Sequence, residues 1–247
     1  MAFPTIPTVG AGRVLTAVQA NTTAARTFPD QSSLTKNAGD LIVAICWAYQ
    51  TTAGTPFSFG GGFTQLVNSA GTSLMAVAVG YKPSTGSESG TFAFTQAATI
   101  TGHAAMILMS IAGAHTTTPI NATSKANDTA AAADPASLSP GWDDETLWIS
   151  TAGSGETGTG GSFTGLSASP TNYGNDVLSS ISADAVGGVQ AGVGFRQLAA
   201  ASEDAAGWTL DISNARNSAL LIAIRPAPPP APTQLPFIVK PQYGRWV

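Results

Sequence analysis

With Cys46 as its only cysteine, the chain cannot form an internal disulfide, and it lacks the cysteine framework of a small secreted domain. Cys46 lies within Leu41-Ile42-Val43-Ala44-Ile45-Cys46-Trp47 and reads as a small buried apolar residue. Charge is scarce as well. Asp, Glu, Lys and Arg make up 10% of the residues, against ~25% in an ordinary soluble chain. Disorder needs low hydrophobicity with high net charge, and an apolar share of 43% with a net charge of −4 is the opposite. The negative balance argues against a nucleic-acid partner, which demands basic patches, and against an anionic membrane surface. No apolar run is long enough for a membrane helix: the longest, Ala104 to Ala112, is about half of the ~20 residues required. The opening residues Met1-Ala2-Phe3-Pro4 have neither the basic nor the apolar region of a signal peptide, so synthesis in a cytosol is expected.

Motifs for chemistry are equally sparse. The two histidines, His103 and His115, flank one predicted strand and lie up to ~40 Å apart in extended chain, so they cannot share a metal unless the chain turns between them. Gly153-Ser154-Gly155-Glu156-Thr157-Gly158 has the spacing of a dinucleotide-binding turn. Gly160-Gly161-Ser162 comes after it where a helix would have to begin, so there is no phosphate cradle. Asp143-Asp144-Glu145 lacks the alternate-residue ligand spacing of a calcium loop and reads as a solvated turn. No G-x-S-x-G nucleophile elbow is present, and nothing selects a catalytic pair among fourteen acids. The expectation is a non-enzymatic protein with no cofactor and no metal.

What the chain has is strands. Leu41, Val43, Ile45, Trp47 and Tyr49 alternate with the smaller apolar Ile42, Ala44, Cys46 and Ala48, the mark of a strand covered on both faces. Short apolar runs separated by Gly, Ser and Thr turns recur along the chain, about twelve in all, with no sustained helical period. Ala130 to Ala133 is the one segment that suggests a helical turn. The predicted fold class is all-β, a β-sandwich of jelly-roll style. Residues 34–112 and 138–224 read as an internal repeat: Tyr81, Phe94 and Met106 match Phe195, Trp208 and Leu220 at a constant offset of 114. That register predicts two similar halves of one sandwich across residues 13–226, preceded by an extended segment at 1–12.

From Pro226 the composition changes. Pro226-Ala227-Pro228-Pro229-Pro230-Ala231-Pro232 reads as a polyproline II spacer, semi-rigid at about 3.1 Å per residue. Residues 227–247 contain no acid and two bases, Lys240 and Arg245, so this stretch carries +2 and the body −6. Its apolar and aromatic residues make it a candidate docking arm, with Phe237, Ile238, Lys240, Tyr243, Arg245 and Trp246 as contact residues.

Gly39-Asp40-Leu41-Ile42-Val43-Ala44, then Gly61-Gly62-Phe63-Thr64, then Tyr81-Lys82 followed by Gly86-Ser87-Glu88-Ser89-Gly90-Thr91-Phe92, resemble a β-sandwich module of tailed-phage virion proteins, especially those of phages of actinobacteria. Ala219-Leu220-Leu221-Ile222-Ala223-Ile224-Arg225-Pro226 resembles its closing strand. The resemblance covers roughly residues 13–226. It implies a structural subunit of the virion, of minor tail protein type or an external head or tail decoration, present in several copies and contacting other capsid or tail subunits. It carries over no catalytic residue. The alternative is a host-recognition module that binds surface carbohydrate, for which Trp142 and Tyr173 are the candidate glycan contacts.

Overall fold

The computed structural model describes residues 2–22, 25–50, 57–69, 75–96, 102–123, 126–128, 132–156, 166–184, 187–210 and 216–230. The first half contains strands β1 (Val14–Thr22), β2 (Ala25–Thr27), β3 (Leu41–Gln50), β4 (Phe57–Phe59), β5 (Thr64–Ser69), β6 (Met75–Pro83), β7 (Ala93–Gln96) and β8 (Gly102–Ile111). The second contains β9 (Ile120–Ala122), β10 (Ala126–Asp128), β11 (Ala132–Ala133), β12 (Glu145–Glu156), β13 (Leu166–Ala168), β14 (Gly174–Asp184), β15 (Gly187–Ala199), β16 (Trp208–Leu210) and β17 (Arg216–Ile224). A single 3-10 turn, Gln31–Ser33, is the only helical element among the described residues. The fold is all-β, as the alternating apolar pattern predicts.

A five-stranded antiparallel sheet has the order β1-β8-β3-β6-β5, and a three-stranded sheet the order β2-β7-β4. The second half repeats this arrangement. Its large sheet runs β10-β17-β12-β15-β14, with β9 also pairing β17, and its small sheet runs β11-β16-β13. The inner faces of the two large sheets share one core, in which Val43, Ile45, Trp47, Val79, Ile107 and Met109 meet Leu147, Ile149, Val193, Phe195, Leu220 and Ile222.

The outer faces are covered too. Outside the first sheet, Phe28 stacks on Phe92 with ring centroids 4.5 Å apart, and Phe63 stacks on Phe92 at 4.6 Å. These rings cover Ile42, Ala44, Cys46, Met106 and Leu108. Outside the second sheet, Trp208 and Leu166 cover Ala152 and Ala219, while Leu138 and Tyr173 pack with Trp148, Leu221 and Ala223. Strand β3 is therefore buried on both sides, the reason both of its faces are apolar from Leu41 to Ala48.

Three sequence expectations change. Seventeen strands appear among the described residues rather than about twelve, because strands of two to four residues build most of the small sheets. The alanine run is not helical where it is described: Ala132 and Ala133 pair with Thr209 and Trp208 as β11. The repeat register also slips. Taking Tyr81 and Phe195 as counterparts at the offset of 114 makes their ladder partners, Val43 and Ile149, counterparts as well. But Val43 pairs Met109 and Ile149 pairs Ile222, an offset of 113. Met106 consequently faces outward while Leu220 faces the shared core, because a one-residue shift moves a side chain to the other face of a strand.

The G-x-G of β12 is a packing slot. A Cβ at Gly153 would collide with the Trp47 indole, and one at Gly155 would stand 2.6 Å from Tyr49 Cδ2. Trp47 and Tyr49 are two residues apart on one face of β3, and the glycines are two apart on the facing strand. The spacing is thus the strand period rather than a phosphate-binding turn. Gly153→Ala and Gly155→Ala are each expected to destabilise the fold by about 1–3 kcal/mol through overpacking. In a Trp47→Leu background the Gly153→Ala cost should fall by at least about 0.5 kcal/mol. Urea unfolding of the four-variant cycle measures both; strict additivity would remove the slot.

Candidate docking face

Trp47 packs beside Thr151 and Gly153, and Tyr49 beside Gly155, so β3 and β12 run in the same direction across the core. The ends that begin with Leu41 and Glu145 therefore lie together. The ladders bring Pro83, Ile111, Ala199 and Ile224 to this same end. Both described terminal segments reach it.

They meet at one turn, Ala112-Gly113-Ala114. The Thr5 amide donates to the Ala112 carbonyl at 2.9 Å, and Gln197 Nε2 donates to the Pro4 carbonyl at 2.8 Å. The departing chain uses the next two residues: the Ala227 amide donates to the Gly113 carbonyl at 2.7 Å, and Ala114 bridges Pro226. Gly113 has φ +78°, a left-handed conformation that favours glycine.

An Arg–Asp pair locks the chain just inside each terminal segment. Asp40 Oδ2 accepts from Arg13 Nη1 at 2.9 Å, Ser110 Oγ at 3.1 Å and the Asn37 amide at 2.9 Å. Asp40 is 5% exposed, and these three bonds offset the cost of burying its charge. They join the start of β1, the start of β3 and the end of β8. On the other side, Arg225 Nε donates to Asp144 Oδ2 at 3.0 Å and its guanidinium lies 5.6 Å from the Trp142 ring centre. The Arg225 amide donates to the Pro119 carbonyl and its own carbonyl accepts from the His115 amide. Thus Asp144, read from sequence as part of a solvated turn, holds the last strand.

A third ion pair, Arg196 Nη1 to Glu203 Oε1 at 2.7 Å, stands at this end. Tyr173 donates its hydroxyl to the same oxygen at 3.4 Å. Burial, together with the Glu203 charge beside it, pushes the Tyr173 phenol far above its ordinary range, so it stays neutral.

The structure treats the sequence candidates unequally. Tyr173 is 9% exposed and belongs to the buried cluster against which Trp142 packs, so the two share one cluster but not one open rim. Trp142 is half-buried, donates Nε1–H to Thr146 Oγ1 at 2.9 Å and lines a shallow open groove with Ser139, Asp143 and Ala201. Phe237, Ile238, Lys240, Tyr243, Arg245 and Trp246 lie outside the described residues. His103 is buried in β8, and His115 takes the Thr117 and Thr118 amides on Nδ1, both at 3.2 Å. Among the described residues no cluster of three or more His, Cys, Asp or Glu is placed to hold a metal. Arg13 and Arg225 escaped sequence reading; their signal was a lone arginine at the start of the first strand and at the end of the last.

No protein-family model matches the chain, and no curated protein sequence matches it. A solved structure of oxalate decarboxylase from Bacillus subtilis at pH 4.6 aligns over 86% of this chain and 75% of its own, at 8% identity and a TM-score of 0.24. A likeness of that size carries no argument about fold or activity.

The neutral Tyr173 sets an alkaline limit. Its folded pKa lies above the ordinary phenol value of 10.0, so its contribution is complete below pH 10 and is lost as the unfolded chain ionises at higher pH. Above pH 10 the stability of the native protein should fall more steeply than that of Tyr173→Phe, by about 1.4 kcal/mol per pH unit. Denaturant midpoints across pH 9–11.5 check this, and parallel slopes would refute it.

Proposed function

We propose that this protein is a non-enzymatic structural subunit of a tailed-phage virion, a minor tail protein or an external head or tail decoration, held to its neighbours through its terminal segments. The observation that carries the reading is the meeting of both terminal segments at Ala112-Gly113-Ala114, each backed by an Arg–Asp lock. An anchoring protein needs its attachment points on one face and the rest of its surface free. The ordered motifs of the virion module also have a shared physical role. Lys82 donates to the Gly61 carbonyl at 3.2 Å and lies 4.8 Å from the Phe63 ring centre, and Phe63 stacks on Phe92. Those motif residues therefore make one lid over the first sheet. We read each half as a jelly roll, since the orders β1-β8-β3-β6 and β2-β7-β4 are those of two interleaved Greek keys.

Host-surface carbohydrate binding is the second reading, favoured by the half-buried Trp142 ring beside an open groove with Asp143. With Tyr173 buried, it rests on Trp142 alone.

Deletion should start after Pro230, since Pro226 and Ala227 belong to the sandwich. The expected outcome for a protein lacking residues 231–247 is an unchanged thermal midpoint and loss from purified particles, measured by quantitative immunoblot. Normal incorporation would overturn anchoring through the arm.

A further inference from the structure

Beside the point where the chain leaves the sandwich is a half-open pocket of about 120 Å³. Leu41, Tyr81, Pro83, Ala114 and Pro119 form its apolar walls, and His115 stands at its rim. Ala114 is at once a wall of this pocket and the bridge partner of Pro226. Pockets for drug-sized ligands are about 300–1,000 Å³, whereas a dry apolar cavity of about 150 Å³ holds one benzene. The space suits one aromatic ring. Two of the polar groups in the lining are already engaged: Asp40 is bound by Arg13, Ser110 and Asn37, and His115 Nδ1 by two backbone amides. Its apolar walls favour a ring over a charged ligand.

We infer that this pocket receives an aromatic side chain, Tyr243 or Trp246, from the C-terminal segment of a second copy of this chain. The inference rests on the reading of that segment as a docking arm. Two observations choose the occupant. The segment after Pro230 bears Lys240 and Arg245 with no acid, while the body carries −6, so the arm of one copy is attracted to the body of another. Pro228, Pro229 and Pro230 stand exposed beyond the Ala227 bond. As the polyproline II spacer its sequence predicts, Pro226 to Pro232 would span about 20 Å. A spacer of that stiffness would carry the aromatic residues beyond it away from the pocket beside which it starts, and toward a neighbour's. Arm and pocket are different surfaces, so the contact is head-to-tail and builds a ring or a filament rather than a two-fold dimer.

The test uses a synthetic peptide of residues 231–247 and the protein lacking them. Calorimetry should detect binding tighter than about 1 mM. Thr116→Trp, on an exposed rim residue of the pocket, should weaken binding at least about tenfold while leaving the thermal midpoint unchanged. A peptide carrying both Tyr243→Ala and Trp246→Ala should lose binding to the same extent. Sedimentation of the full chain should show concentration-dependent association that the truncation abolishes. Equal binding to Thr116→Trp, or none at about 1 mM, overturns the pocket. A full chain that stays monomeric yet excludes the peptide assigns the arm to its own pocket and overturns the second copy. These outcomes separate from failure of the anchoring reading: a protein without its arm that still enters particles removes the anchor, whereas absent peptide binding with lost incorporation removes only the pocket.

Discussion

The Trp47 indole leaves β3, crosses the gap between the large sheets and fills the space left by Gly153. Its Nε1–H donates to Thr151 Oγ1 at 3.0 Å, and the Thr151 hydroxyl donates in turn to the Gly192 carbonyl at 2.8 Å. One side chain thus sets the distance between the sheets, their alignment and their register. An apolar interface alone would tolerate sliding. A buried donor with one acceptor does not, since a slip would leave that donor unpaired at a cost of about 1–3 kcal/mol.

The second half handles its own large aromatics differently. Trp208 donates to Ser150 Oγ at 2.9 Å and Trp148 to the Leu198 carbonyl at 3.0 Å, both on the outer side of the second sheet. The halves share a strand order, but among the described residues only the first contributes a tryptophan to the shared core. Topology is symmetric and packing is not. The one-residue ladder slip at β17 has the same character: equivalent strands have settled into different relations with their neighbours.

How much of this was legible depends on the kind of signal each feature leaves. The doubly apolar β3 and the all-β class were plain, because period-two alternation is set by backbone geometry. The small sheets were hidden because strands such as Ala132–Ala133 are too short to hold a period. The slot at Gly153 and Gly155 looked like a nucleotide motif because its meaning depends on Trp47, more than a hundred residues away. Asp144 looked like a turn acid because its arginine partner is distant in sequence. Tyr173 read as a loop aromatic, yet it lies between Glu203 and the Trp142 cluster, a burial no local pattern encodes. Pairings between remote residues were the part sequence alone could not supply.

The placement of the terminal segments has a mechanical side. Chain enters β1 and leaves β17 at one end, so β1 runs lengthwise away from it and β17 toward it. A pull on the body away from that end loads the β1–β8 and β17–β12 ladders in shear, so many hydrogen bonds must yield together. A pull that spreads the two segments apart instead acts on the few bonds at Ala112-Gly113-Ala114, one after another. The same sandwich is therefore strong against axial tension and weak against prying.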